Sequence, residues 1–127
     1  FAYFGRAYGI KVAGIQGIST AAEASIADIR ETADLLISRK IPAIFVESTI
    51  SPRTIQAVIE AAAQQGHTVT IGGELYADAM GEAGSAEGTY IGMIFSNTLA
   101  ISSALGGTPA ELPEALAAWA QQWNIRL

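Results

Sequence analysis

The sequence predicts an α/β lobe: a parallel β-sheet flanked by helices in a Rossmann-like three-layer arrangement, incomplete at its N-terminus. Three observations lead there. Short apolar runs alternate with helical stripes in the order α-β-α-β-α-β-α-α. No hairpin signal joins one strand to the next, so each connection passes through a helix and the strands run parallel with right-handed crossovers. The chain has 127 residues, half of them hydrophobic and only 15% charged, enough to bury one real core.

Each element has its own signal. Residues 1–8 read as the end of a helix stopped by Gly9. Ile10 to Gln16 is a mostly apolar strand. Thr20 caps the next helix, and Glu23 completes a capping box. Ala22, Ile26, Ile29, Ala33 and Leu36 then recur at helical spacing as one buried face. Ile41 to Val46 is a short continuous apolar run, the pattern of a strand covered on both faces. Ser51 caps and Pro52 opens a helix whose stripe is Ile55, Val58, Ile59 and Ala62, ended by Gly66. His67 to Ile71 is the third strand. Thr89 caps a helix with Ile91, Ile94, Phe95, Thr98 and Leu105 inward, closed by Gly106-Gly107. A last helix begins near Pro113, with Leu116, Trp119, Ala120 and Trp123 on one face.

Composition narrows the function classes. Seven basic against twelve acidic residues give a net charge of −5 with no basic patch, which argues against nucleic acid. No segment carries the roughly 18–20 uninterrupted apolar residues that cross a bilayer. The chain has no cysteine, so thiolate nucleophiles, disulfides and sulfur-ligated metal are excluded. The start, Phe1-Ala2-Tyr3-Phe4, has no initiator Met, basic leader or helix cap, and reads as a beginning inside a folded unit.

The chemistry concentrates in residues 72–88, a long loop with four carboxylates and no Lys or Arg. Loops of this length inside a compact domain are usually functional, and concentrated negative charge favours a cation nearby. Ligands of open parallel sheets bind beyond the carboxyl ends of the strands. Glu47 follows the second strand directly and Asp78 lies in the loop after the third, so topology gathers both at that edge, together with Gln16 and Ser19. His67, the only histidine, falls at the opposite edge. Each carboxylate also has a plain structural reading. Glu47 pairs with Arg53 or with the N-terminus of the following helix; Asp78 caps a short turn at Ala79-Met80. Glu82 and Glu87 read as solvated loop charges. Gly72-Gly73 is no phosphate loop, because no Gly-Lys-Ser/Thr follows.

Several long motifs in order resemble the metal-ion solute-binding proteins of ABC transporters for manganese, zinc or iron. They are Ile41-Pro42-Ala43-Ile44-Phe45-Val46-Glu47-Ser48 with Ser51-Pro52-Arg53-Thr54-Ile55, and Gly72-Gly73-Glu74-Leu75-Tyr76-Ala77-Asp78-Ala79-Met80-Gly81 running into Gly88-Thr89-Tyr90-Ile91-Gly92-Met93. Phe1-Ala2-Tyr3-Phe4, Ala7-Tyr8-Gly9 and Gln16-Gly17-Ile18-Ser19-Thr20 fit the same pattern. The resemblance implies two α/β lobes joined by a long helix, with one metal ion between them, and residues 1–105 as the C-terminal lobe. Residues 106–127 are then a helical extension. It further implies that Asp78 is a direct ligand of Mn²⁺, Zn²⁺ or Fe²⁺, that Glu47 stands behind the ligands as a partner of an imidazole N–H, and that the remaining ligands, mostly histidines, lie upstream of Phe1. The implied partners are the missing N-terminal lobe and an ABC permease. The implied location is periplasmic or extracellular, as a membrane-anchored lipoprotein, without enzymatic turnover.

Two further readings belong to other classes. A doubly wound enzyme would use Glu47 and Asp78 as acid and base or as Mg²⁺ ligands. A non-catalytic assembly module would self-associate through Trp119 and Trp123.

Overall fold

The computed structural model describes residues 1–15, 24–47, 52–108 and 110–125. The elements are α1 (Ala2–Tyr8), α2 (Ile26–Ser38), β1 (Ala43–Glu47), α3 (Pro52–Gln64), β2 (Thr70–Leu75), α4 (Tyr90–Ala104), a 3₁₀ turn (Glu114–Leu116) and α5 (Ala117–Gln122).

The core lies on one face of the sheet. Ala33 and Leu36 of α2 and Ile55, Val58 and Ala62 of α3 close over Ile44 and Val69, with Ile29, Val46 and Ile59 packed around them. Strand alternation sends Phe45 to the other face. There α4 approaches so closely that a Cβ at Gly72 would lie 2.6 Å from the Cβ of Ala104 and 2.7 Å from Cε1 of Phe45. Helices thus cover both faces, and β1 and β2 pair in parallel from Ala43↔Thr70 to Glu47↔Leu75. The α/β class with a parallel sheet holds.

The stops and stripes follow the residues. Gly9 ends α1 in the left-handed conformation, with φ 67°. Gly66, after α3, has φ 80°, and Gly106, after α4, has φ 81°. Thr89 caps α4 by accepting from the Gly92 amide. Ala120 of α5 is buried.

Four details differ from expectation. No strand forms over residues 10–15, and among the described residues the sheet has two strands. The turn at Gly9 folds the chain back onto α1. The Ile10 amide bonds the Gly5 carbonyl at 2.9 Å, and a Cβ on Gly5 would meet the Ile10 carbonyl and Val12. Only Ile15 of this segment reaches the core.

The second difference is at α2, which starts at Ile26. Ser25 and Asp28 form its capping box, so Ile26 sits in the first turn, 71% exposed, outside the buried face. The predicted cap, Thr20 with Glu23, lies outside the described residues, as do Ala22 and Ser51.

Third, β2 begins and ends later than the apolar run His67–Ile71 suggests. Ile71 pairs with Ile44 but Gly73, not Gly72, pairs with Phe45. The extra residue is a bulge, and Gly73 takes it up at φ 144°, a conformation that side chains disfavour.

Fourth, α4 turns a different face inward. Gly92 and Asn97 are buried, whereas Ile91, Ile94, Thr98 and Leu105 are exposed. Small residues face β2 because the two backbones approach closely there.

Candidate metal centre

Glu47 and Leu75 are register partners, so β1 and β2 end together at one edge of the sheet. Glu47 closes β1 and is half-buried. The chain leaves β2 at Leu75, and Asp78 follows in an exposed bend formed by Ala77–Ala79. The structure therefore places both carboxylates at the carboxyl edge. No helical turn forms at Ala79-Met80 for Asp78 to cap. Gln16 and Ser19 lie outside the described residues.

His67 stands at the other edge. Its Nε2 is 2.8 Å from the Ile41 carbonyl, just before β1. A carbonyl only accepts, so Nε2 carries the proton and the ring serves as a strut between the strand starts. Among the described residues, no three His, Cys, Asp or Glu side chains gather as a metal cage. Asp78 itself is an exposed carboxylate, chemically able to donate oxygen to a cation.

The acidic loop is held together by its own backbone. The Gly81 amide bonds the Glu87 carbonyl at 2.9 Å, and the Ser85 amide and hydroxyl bond the Glu82 carbonyl at 3.1 and 2.8 Å. The Ser85 hydroxyl in turn accepts from the Gly88 amide at 3.1 Å. Glycines permit this closeness: a Cβ on Gly81 would lie 2.6 Å from that of Glu87, and one on Gly88 would collide with the Glu82 carbonyl. These turns gather the loop's return half and leave Asp78 on its outgoing half.

Both ends of the loop are tied to α4. At the outgoing end, Asn97 donates from Nδ2 to the Tyr76 carbonyl at 2.8 Å and accepts at Oδ1 from the Tyr76 amide at 2.9 Å. At the returning end, the Thr89 hydroxyl donates to the Ala86 carbonyl at 2.7 Å and accepts from the Gly92 amide at 3.0 Å. Sequence reasoning found Thr89 but missed Asn97. Its signal was a lone amide in a helix otherwise rich in apolar residues.

Residues beyond α4 brace the same region. Trp119 packs edge-on against Phe95, with ring centroids 5.6 Å apart, and its Nε1 points at the Thr89 hydroxyl from 3.4 Å. Phe95, Leu99, Trp123, Ile125 and Glu87 line a cleft of about 390 Å³, which includes neither Glu47 nor Asp78.

The chain is similar to known proteins. Manganese-binding lipoprotein MntA of Bacillus subtilis is 54% identical over 105 residues, which are 83% of this chain and 34% of MntA. Zinc-binding protein TroA of Treponema pallidum is 52% identical over the same share of this chain and 34% of its own length. A solved structure of the periplasmic zinc-binding protein TroA from Treponema pallidum superposes with a TM-score of 0.77 and 52% identity. The superposition covers 83% of this chain and 38% of that one. The chain thus spans about a third of the length of the relatives it matches. Both proteins are named as binding proteins, and the acid–base enzyme reading of Glu47 and Asp78 finds no counterpart in them. A family profile described as "Zinc-uptake complex component A periplasmic" matches residues 1–104, and the chain belongs to this ZnuA family.

Proposed function

We propose that this chain is one lobe of a solute-binding protein that captures a divalent transition-metal ion, Mn²⁺, Zn²⁺ or Fe²⁺, and delivers it to an ABC permease. Asp78 is a direct ligand through its carboxylate. Glu47, on the same edge, accepts the free ring N–H of a ligating histidine from the companion lobe and so fixes that ring's tautomer and orientation. Residues 1–105 form the lobe and 106–127 an extension that braces the end of the acidic loop. The complete protein works outside the cytoplasmic membrane, held there by a lipid anchor.

The observation that carries this reading is the common end of β1 and β2, which puts Glu47 and the Asp78 bend at one edge. The names of the relatives, manganese- or zinc-binding, supply the class of ion. The cargo is a substrate bound and released without covalent change. Oxygen and nitrogen donors without thiolate suit all three ions.

One carboxylate is a small part of a coordination shell, so the 127-residue chain alone binds these ions weakly. With a first lobe present, Asp78→Ala weakens Mn²⁺ or Zn²⁺ binding by more than about 100-fold, beyond the usual loss for an outer partner. Competition titration against a chelating dye measures both. Unchanged affinity in the Asp78 variant, or submicromolar binding by the lone chain, contradicts the proposal.

A further inference from the structure

We infer that Asn97 is a positioning residue for the metal ligand, setting the place of Asp78 through the backbone of Tyr76; this rests on the reading of Asp78 as a ligand. Asn97 is the one buried polar or charged side chain among the described residues, 5% exposed in the middle of α4. Both ends of its amide are used on a single residue, the first beyond β2. The pairing reproduces what a neighbouring strand gives: one N–H and one C=O satisfied side by side. Strand geometry is thereby carried one residue past the end of the sheet, up to the start of the Asp78 bend.

A helix that only needed to pack on β2 would be served by an apolar residue here. Burying an amide is favourable only when its hydrogen bonds are made, and both are made to the backbone that leads to Asp78. Asp78 lies two positions after Tyr76, with Ala77 between them. At 3.8 Å per residue the lever is about 7 Å long, so a 10° rotation at Tyr76 displaces the carboxylate by about 1 Å. Metal–ligand distances hold to about 0.2 Å. Loss of the clamp therefore degrades a ligand without touching it.

Asn97→Asp is nearly isosteric but loses the donor to the Tyr76 carbonyl, and its carboxylate accepts only. The test is a double-mutant cycle on Mn²⁺ affinity in the complete two-lobe protein: Asn97→Asp, Asp78→Ala and both together. With Asp78 present, Asn97→Asp weakens binding about tenfold, at the lower end for an outer partner of a metal site. In the Asp78→Ala background the same change has less than a twofold effect. Asn97→Ser, run in parallel and checked with the others for a cooperative melt, keeps the cycle readable if the buried charge prevents folding.

Equal weakening in both backgrounds overturns the inference, because general loosening of the lobe does not depend on Asp78. No weakening in either background overturns it too. If Asp78→Ala alone leaves affinity unchanged, the ligand assignment has failed, and the inference falls with it. That single-variant arm separates the two failures.

Discussion

Thr89 is where the acidic loop, α4 and the C-terminal extension meet, and removing its hydroxyl has a cost that the geometry sets. In Thr89→Ala the Gly92 amide loses its capping acceptor, a loss of about 1 kcal/mol for a helix N-cap. The Ala86 carbonyl loses the hydroxyl but keeps the Thr89 amide at 3.0 Å, so this term is about 0.5 kcal/mol. The Trp119 contact is long at 3.4 Å and the indole is half-buried, which holds its share to about 0.5 kcal/mol. The sum is about 2 kcal/mol. For a domain of this size that is a fall in Tm of about 6–10 °C. Urea unfolding followed by tryptophan fluorescence reads the change directly, since Trp119 lies against Phe95 in the affected region. Thr89→Ser keeps the hydroxyl and stays within about 0.5 kcal/mol of the parent. Equal losses in the Ala and Ser variants would show that methyl packing, not the hydroxyl, holds this junction, and would refute the reasoning.

Two other perturbations test the fold. The Asp28 carboxylate accepts from the Ser25 hydroxyl and amide at 2.6 and 2.9 Å, which lowers its pKa below the ordinary 3.8. A lowered folded-state pKa means that this contribution is present above the unfolded value and is lost as pH falls through the folded one. The stability gap between the parent and Asp28→Asn is therefore constant near neutrality and shrinks in acid below 3.8, as urea melts across pH will show; a gap that widens in acid has the wrong sign. In the core, Ile55→Ala costs about 2–5 kcal/mol, since Ile55 is fully enclosed. Ile26→Ala stays within about 0.5 kcal/mol despite lying on the same apparent stripe as Leu36. Comparable losses at the two positions would put Ile26 back in the buried face.

The elements that were legible in the sequence were those whose signal is local. Pro52, the stripe of Ile55, Val58 and Ala62, and the glycines after α1, α3 and α4 need only their neighbours to be read. Errors arose where two local signals compete or where the deciding contact is distant. Thr20 with Glu23 and Ser25 with Asp28 are both capping-box patterns, and the shorter Asp is the one used in the described helix. Gly72-Gly73 reads as a break in a strand, yet β2 runs through it. The reason is the closeness of Ala104 and Phe45, both far away in sequence. The apolar residues of α4 extend round most of the helix, so periodicity selects no face, and the face that packs is the one with small residues and an amide. At the site, the edge shared by Glu47 and Asp78 followed from topology alone. The supports of Asp78 did not, because a side-chain clamp on the backbone leaves no spacing pattern.

Those supports order a long acidic loop. A loop of such length without anchors has more conformational freedom to lose when it is fixed in one shape. Here the outgoing strand end is held at Tyr76 by Asn97, and the return is held at Ala86 by Thr89, both from α4. Between them the Gly81–Glu87 bond and the Ser85 turns take up the slack. The short stretch Ala77–Met80 is left exposed, with the carboxylate on it. Tethering both ends to one helix means that a displacement of α4 moves the loop with it. Trp119 packs on Phe95 of the same helix and reaches Thr89, so the extension, α4 and the returning end of the loop form one contiguous packed unit.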